Sequence, residues 1–351
     1  NMLYIRENYN EIYSHGADIR TVSEDASKPE RTLSVRIVSP TKQYSNNQIV
    51  VNIPNVRKPV PLFIVFRALG VISDREIIEY CLLDLEENSS MIDLFIPSIH
   101  DAGKIFTQET ALEYIKTFTK GHTTSFVLDI LMNYFLPNVG ELNFQQKAYS
   151  LGYIVNSLLL VFTKLEAPTD RDSFKFKRVE VPGILMYDLF KEYFKLQQDN
   201  VKLKLDTEYN LKKSKTIYQN ESFKDLITNN YERIFNERVL ETGFKKAFKG
   251  NWGAEEHTRR LGAVQDLNRL SYNSFISHLR KINLPMDSSS KVVKPRLLHS
   301  SQWGIIDPVD TPDGGNVGFH KHMAISAHIT SGCSGVPMMK FMRSICNMKL
   351  L

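Results

Sequence analysis

The longest apolar stretch of the chain, LGYIVNSLLLVF at positions 151–162, limits the possible folds most strongly. It is interrupted by Asn156 and Ser157 and is shorter than the roughly 20 apolar residues that a membrane-spanning helix requires. The surrounding segment 143–164 places apolar residues at helical spacing, namely Phe144, Ala148, Leu151, Val155, Leu158 and Phe162. This pattern predicts a helix that buries one face in the core of a globular domain, and we expect no membrane association.

Length and patterning together predict an α+β fold with several domains. The 351 residues allow two or three domains, each with its own core. Two β-branched runs, at 32–38 and 46–53, predict a hairpin with a long loop, and the apolar run from Pro61 to Gly70 is interpreted as a further strand. Ser73 with Glu76 three residues later is the signature of a capping box before a helix.

Helices dominate the middle of the chain, and loops with short strands follow position 280. Further helices are predicted at 107–120 with Gly121 as C-cap, at 124–136 up to Pro137, at 183–199 and at about 221–248. The segment 318–330 is interpreted as a strand. The three cysteines form no Cys-x-x-Cys pair, which argues against a disulfide framework and a zinc knuckle.

Positive charge is concentrated in one stretch of sixty residues. Segment 241–300 contains eleven lysines and arginines against five acidic residues, a net charge of +6, whereas the whole chain carries +5. Such a stretch is a possible binding surface for a polyanion, and a solvated basic face is the alternative. Its cations alternate with amides and aromatic rings, which suit phosphate neutralisation, backbone positioning and base stacking. We expect the basic head groups to be exposed, and unpaired or loosely paired.

The familiar enzyme signatures are missing from the sequence. It contains no Gly-x-Gly-x-x-Gly, Walker loop or Gly-x-Ser-x-Gly elbow. The aspartates of segment 307–313 recur every third residue but lack the spacing of an EF-hand loop. His320 and His322 with Cys333 lack a fourth zinc ligand at suitable spacing. We therefore predict no catalytic residue and no metal ligand in this chain.

Five segments resemble, in the same order, segments of the second-largest subunit of multisubunit DNA-dependent RNA polymerases. They are FRALGVISDREIIEY (66–80), DRDSFKFKRVEVPG (170–183), GNWG (250–253), LNRLSYNSFISHLRKINLP (267–285) and KPRLLHSSQWGIIDPVDTPDGGNVG (294–318). The resemblance implies a helical lobe on a small β base, part of a protrusion domain, and a loop-rich fork with short strands. The implied boundaries are 1–24 for the end of a first protrusion segment, 25–172 for the lobe, 173–245 for a second protrusion segment, 246–330 for the fork, and 331–351 for the start of a following domain or a truncated tail.

The same resemblance implies a role in DNA-templated transcription. The GNWG turn with residues 254–262 matches the first fork loop of that family, and residues 286–293 match the second. The whole chain would guide template DNA and the RNA–DNA hybrid within a DNA-directed RNA polymerase, which is a nucleotidyltransferase. It would be inactive alone. Its candidate nucleic-acid-binding residues are Arg259, Arg260, Gln265, Asn268, Arg269, Phe275, His278, Arg280, Lys294, Arg296 and His299. Its implied partners are the largest subunit, the other polymerase subunits, template DNA and nascent RNA. No cofactor is expected on this segment, because the catalytic Mg²⁺ is expected in the largest subunit.

Departures from the family pattern point to a divergent branch. The family motif Pro-x-Glu-Thr-Pro-Glu-Gly stands here as residues 308–314, with Asp310 and Asp313 in place of the glutamates and Asp307 before the proline. Residues 288–290 are serines where charged and glycine residues are usual. A large DNA virus is one source that fits. The expected location is the nucleus for a cellular source, and the host cytoplasm or virion for a viral one. The alternative function is a stand-alone nucleic-acid-binding or scaffold protein with a borrowed fold.

Overall fold

The chain forms two compact units in a computed structural model. The described residues are 2–23, 28–40, 47–86, 88–213, 223–235, 237–330 and 334–345. Unit 1 comprises residues 1–171 and 182–265, and unit 2 comprises residues 172–181 and 266–351. Both contain helices and strands, so the fold class is α+β, as predicted. None of the helices in the described ranges is long and apolar enough to cross a membrane.

Unit 1 begins with a five-stranded antiparallel sheet in which each strand pairs with the next along the chain. Its strands are β1 (Leu3–Glu7), β2 (Tyr13–Thr21), β3 (Arg31–Val38), β4 (Ile49–Asn52) and β5 (Val60–Pro61). The predicted hairpin is confirmed as β3 and β4, and its loop residues 41–46 lie outside the described residues. Leu33, Val35 and Ile37 alternate along β3 and are fully buried, as expected for a sheet with one face on the core.

Nine helices are described in unit 1. They are α1 (Leu62–Ala68), α2 (Asp74–Leu82), α3 (Ile96–Ala102), α4 (Gln108–Lys116), α5 (Thr124–Asn133), α6 (Phe144–Phe162), α7 (Pro182–Lys213), α8 (Phe223–Ile234) and α9 (Val239–Phe248). Short 3₁₀ turns occur at Ser89–Phe95, Pro137–Val139 and Glu256–Thr258. Helix α6 confirms the prediction from the longest apolar stretch, and its apolar face joins the core formed by the sheet and helices α1 to α5.

Five predictions about these elements were wrong in type or extent. The run after Pro61 is helix α1, not a strand; all its residues are buried, so no one-sided periodicity could distinguish the two. The helix predicted at 107–120 ends at Lys116, and Gly121 does not cap it. Helix α7 continues far beyond 199, and the region predicted as one helix at 221–248 contains two. Helix α2 begins after Ser73, but the Ser73 side chain makes no capping hydrogen bond.

A second, smaller core within unit 1 joins α7, α9 and the loop that follows α9. Leu189 and Tyr193 of α7 pack against Ala247 of α9 and against Trp252, and all four are buried. This cluster fixes the position of the GNWG turn, because the indole of Trp252 is its apolar anchor.

Unit 2 is rich in loops and short elements. Its named elements are α10 (Tyr272–Leu279), β6 (Lys281–Asn283), β7 (His320–His322) and α11 (Val336–Ile345), with 3₁₀ turns at Phe174–Phe176, Lys294–Arg296, Ser300–Gln302 and Gly314–Asn316. Strands β6 and β7 form an antiparallel pair. The strand predicted at 318–330 is therefore limited to three residues. Phe174 donates its backbone N–H to the Ser301 hydroxyl over 2.8 Å, which ties segment 172–181 to this unit.

Candidate nucleic-acid interface

A groove beside the GNWG turn gathers three cations of unit 1. It has a volume of about 640 Å³ and is lined by Lys246, Arg259 and Arg260 together with the rings of Tyr193 and Trp252. Arg259 and Arg260 are exposed. Clustered exposed cations are the composition that binds phosphates, whereas Tyr193 and Trp252 are largely buried beneath them. Lys246 lies in the basic stretch but was not among the predicted site residues.

The turn that carries these arginines is fixed at both ends. Trp252 and Arg260 form an isolated antiparallel bridge, with the Arg260 N–H donating to the Trp252 carbonyl over 3.3 Å. Gly253 has φ +91°, and a Cβ there would lie 2.5 Å from the Thr258 carbonyl oxygen. Only glycine suits that position. Gln265, the third predicted site residue of unit 1, is exposed and donates from Nε2 to the Gly262 carbonyl over 2.8 Å.

Glu192 is a buried acid beneath the turn, and the sequence prediction missed it. Its side chain on α7 is 5% exposed, and its Oε1 accepts hydrogen bonds from the backbone N–H groups of Ala254 and Glu255, each at 3.0 Å. The hydroxyl of Thr258 donates to the same oxygen at 2.5 Å. A signal was present in the sequence: Glu192 falls between Leu189 and Tyr193 on the apolar face of the helix.

In unit 2, the start of α10 brings four predicted residues together. Ser271 caps the helix in a capping box with Ser274. The Asn268 backbone N–H donates to His278 Nδ1 over 3.1 Å, and the Arg269 guanidinium lies 5.9 Å from the centre of the Phe275 ring. Asn268 and Arg269 are exposed, whereas Phe275 and His278 are half-buried. This arrangement displays one cation and one amide next to an aromatic ring.

Two predicted contacts, Arg280 and Arg296, direct their guanidinium groups to backbone carbonyls. Arg280 Nη2 donates to the carbonyl of Ala324 over 2.6 Å and to that of Ala327 over 3.0 Å. It therefore holds the turn that follows β7. The expectation of an unpaired or loosely paired head group is wrong for both arginines, because carbonyl dipoles of their own unit already occupy their donors.

The Arg296 guanidinium joins two loops. Nη1 donates to the carbonyls of Gly315 and Val317 over 2.6 and 3.0 Å. Nη2 donates to Ser288 and Ser290 over 3.1 and 3.0 Å. The group also lies 3.8 Å from the centre of the buried Phe319 ring. Four of the five N–H donors of an arginine are thereby used, which leaves little capacity for a phosphate.

Lys294 and His299 complete the predicted set. Lys294 is exposed and forms no ion pair among the described residues. His299 is half-buried, and its Nδ1 accepts from the Ser301 backbone N–H at 3.1 Å and lies 2.7 Å from the Ser301 hydroxyl. His299 therefore starts the 3₁₀ turn at Ser300–Gln302. A role in binding nucleic acid stays a prediction for all eleven residues.

The acidic residues of segment 307–313 hold a turn. Asp307 Oδ1 accepts from the backbone N–H groups of Val309 and Asp310 at 2.9 and 3.2 Å, and these bonds lower the pKa of Asp307. Asp310 accepts from the Ser277 hydroxyl at 2.6 Å, and its backbone carbonyl accepts from His322 Nδ1 at 2.8 Å. The segment is therefore linked to both α10 and β7.

Strand β7 carries positive groups in partly buried surroundings. Burial, followed by the charges of Lys281 and His322, lowers the pKa of His320. Burial also lowers the pKa of Lys321, although Asp172 acts in the opposite direction. No group of three or more His, Cys, Asp or Glu side chains that could hold a metal ion occurs among the described residues, and Cys333 lies outside them.

The chain is similar to two protein families and to several known proteins. The family described as RNA polymerase Rpb2, domain 2 matches residues 30–180, and that described as RNA polymerase Rpb2, domain 3 matches residues 265–329. The chain is 35% identical over 341 residues to DNA-directed RNA polymerase II subunit RPB2 of Encephalitozoon cuniculi, covering 94% of this chain and 28% of that protein. It is 33% identical to DNA-directed RNA polymerase II subunit 2 of Arabidopsis thaliana over 94% of this chain and 28% of that protein.

A more distant relative is archaeal. DNA-directed RNA polymerase subunit Rpo2 of Saccharolobus solfataricus is 28% identical over 308 residues, which cover 86% of this chain and 26% of that protein. The chain thus spans little more than a quarter of the length of these relatives.

Proposed function

Because the chain belongs to the family of second-largest subunits of DNA-directed RNA polymerases, two domains of which it contains, we propose that it serves in DNA-templated transcription as part of such a subunit. The observation that carries this proposal is the one-third identity along 94% of the chain. The match to domain 3 also covers the segment that contains α10, Lys294 and Arg296. The chain's role is then to guide template DNA and the RNA–DNA hybrid, while nucleotidyl transfer belongs to the assembled enzyme.

The finer division into lobe, protrusion and fork is part of the same proposal. The match of domain 2 to residues 30–180 supports a lobe at 25–172, and the match of domain 3 to residues 265–329 supports a fork within 246–330. The second protrusion segment, 173–245, lies mostly between the two matched regions. We assign the first fork loop to residues 250–262 and the second to residues 286–293.

Exposed cations supply the nucleic-acid contacts in this proposal. Arg259 and Arg260 with Lys246 provide them in unit 1, and Arg269 and Lys294 provide them in unit 2. Such groups bind phosphates without sequence preference, because they neutralise charge and release counterions. Arg280 and Arg296 contribute differently: Arg280 holds the turn at 324–327, and Arg296 joins the loops at 288–290 and 315–317.

The partners are the largest subunit, the other polymerase subunits, template DNA and nascent RNA. The catalytic Mg²⁺ ions are assigned to the largest subunit, where they would stabilise the attacking and leaving oxygens of phosphodiester formation. The subunit would act in the nucleus of a cellular source, or in the host cytoplasm or virion of a viral one.

The test is template-directed RNA synthesis. The 351-residue chain alone, with template, nucleotides and Mg²⁺, should make no RNA. A polymerase reconstituted with a second-largest subunit that carries this chain in place of its own corresponding segment should make RNA. Template-dependent incorporation by the purified chain alone would overturn the proposal, because it would place the catalytic groups here.

A further inference from the structure

The carboxylate of Glu192 connects a long helix to the turn that carries two candidate phosphate-binding arginines. One oxygen of this carboxylate accepts three hydrogen bonds, from the backbone N–H groups of Ala254 and Glu255 and from the Thr258 hydroxyl. The partners lie 62 to 66 positions along the chain from Glu192. Hydrogen bonds to a carboxylate are stronger than those between neutral groups, so Glu192 is a strong polar link between α7 and the turn.

Further contacts also restrict the conformation of the turn. The Thr258 backbone N–H donates to the Glu255 carbonyl over 3.2 Å, and the Thr258 hydroxyl accepts from the Glu255 N–H over 3.1 Å. Trp252 packs on α7 and α9 at one end, and Arg260 pairs with it at the other. Arg259 directly follows Thr258, so the backbone that Glu192 holds is the backbone from which the guanidinium extends.

We propose that Glu192 is a positioning residue that holds the 253–258 turn so that Arg259 and Arg260 line the groove as a preformed phosphate-binding surface. This inference rests on the proposed nucleic-acid role of the groove and adds the device that shapes it. Glu192 itself touches no ligand in this proposal. Its benefit is that the arginine backbone is already ordered before a polyanion binds, so binding does not have to order it.

A positioning role and a purely electrostatic role of Glu192 predict opposite changes in affinity when its charge is removed. Glu192 is an anionic residue close to a cationic groove, and its removal makes the chain more positive by one charge. If Glu192 acted only through its charge, neutralising it would tighten the binding of a polyanion. If it positions the turn, neutralising it weakens binding in spite of the added positive charge.

The experiment compares four variants of the 351-residue chain with the unmodified chain. Glu192→Ala removes all three acceptor contacts, whereas Glu192→Gln keeps a side-chain oxygen without the charge. Thr258→Val removes only the hydroxyl donor. Glu256→Gln is the matched control, because it removes an exposed negative charge from the same turn. The probe is a fluorescent 12-base-pair RNA–DNA hybrid, and hydrogen exchange of the peptide covering residues 250–261 reports the order of the turn.

We expect Glu192→Ala to speed exchange in residues 253–258 by at least about tenfold, because the loss of even one hydrogen bond to a charged group corresponds to about that factor and three are lost. Its affinity for the hybrid should fall, Thr258→Val should show a smaller fall, and Glu192→Gln should recover part of the loss. Glu256→Gln should bind as tightly as the unmodified chain or more tightly. Exchange in strands β2 and β3 should be unchanged in every variant, which shows that the fold is retained.

Two outcomes separate the possible failures. If Glu192→Ala binds the hybrid as tightly as Glu256→Gln and exchanges at the unmodified rate, the positioning role is wrong while the groove remains a binding site. If the unmodified chain does not bind the hybrid, the proposed function of the groove fails and the ligand part of this inference with it. The exchange measurement then still decides whether Glu192 fixes the turn.

Discussion

Arg296 and Lys294 allow a sharp test of whether a cation in the basic stretch is structural or binds ligand. They lie two positions apart in one 3₁₀ turn, and each carries one positive charge. Arg296 donates to four carbonyls of residues 288–290 and 315–317, whereas Lys294 is exposed. Replacing each by alanine therefore removes the same charge but very different contacts.

The expected loss of stability follows from these contacts. A hydrogen bond from a charged donor contributes on the order of 1.5–3 kcal/mol, and its removal leaves carbonyls that water can partly reach. Two carbonyls in each loop lose their donor, and the Phe319 ring loses its stacked guanidinium. We expect Arg296→Ala to destabilise unit 2 by about 3 kcal/mol. An exposed substitution usually changes stability by less than about 0.5 kcal/mol, so Lys294→Ala should be close to neutral.

The assay combines local hydrogen exchange with binding to an RNA–DNA hybrid at several salt concentrations. Arg296→Ala should raise exchange in peptides covering 286–293 and 314–318, and Lys294→Ala should leave exchange unchanged. Lys294→Ala should instead reduce the slope of log K against log salt by about 1, as for a lost phosphate contact. The reasoning fails if Arg296→Ala leaves exchange unaltered and reduces the salt slope, because Arg296 would then bind phosphate directly.

Two further predictions concern stability. The Nζ of Lys147 donates to the carbonyls of Leu131 and Met132 over 2.7 and 2.8 Å, and burial lowers the pKa of Lys147 to about 8. Because the unfolded chain holds that proton up to about pH 10.4, the free energy of unfolding should rise between these pH values by up to about 3 kcal/mol more in the unmodified chain than in Lys147→Met. Parallel curves of stability against pH for the two proteins would contradict this. Gly318→Ala should destabilise unit 2 by more than about 2 kcal/mol, because Gly318 has φ +72° and a Cβ there would overlap the Arg296 carbonyl. The control is Gly335→Ala, whose Cβ would meet no atom within 4 Å and which should leave stability unchanged. Equal denaturation midpoints for the two variants would refute this.

One-sided burial made some elements predictable from sequence. Helix α6 has an apolar face that is buried, and the apolar residues of β3 alternate with polar ones, so both periods are visible in the sequence. Helix α1 is buried on every side, so its sequence has no period, and its length fits a strand equally well. Strands β1 and β2 were missed because much of their sequence is polar. Their pairing includes an ion pair between Arg6 and Asp18, which no local pattern reveals.

The candidate site was predictable in its composition but not in its geometry. The charge count located the basic stretch, and the resemblance located the loops. Neither could show that Glu192 reaches the turn at 253–258, because that contact depends on how α7 packs against Trp252. The break between α8 and α9 was missed for a related reason: no proline or glycine interrupts residues 223–239 to mark it.

Arginines that look alike in sequence differ here in what their donors contact, and the difference is measurable. Arg280 and Arg296 still contribute their charge to the long-range field of unit 2, because a carbonyl dipole does not cancel a full charge. They can therefore attract a polyanion without forming a phosphate contact. The salt slope counts direct phosphate contacts, at about 0.9 per contact on duplex DNA. We therefore expect a slope smaller than the eleven basic residues of segment 241–300 would give. A slope near that full count would mean that the two arginines exchange their carbonyl partners for phosphates on binding.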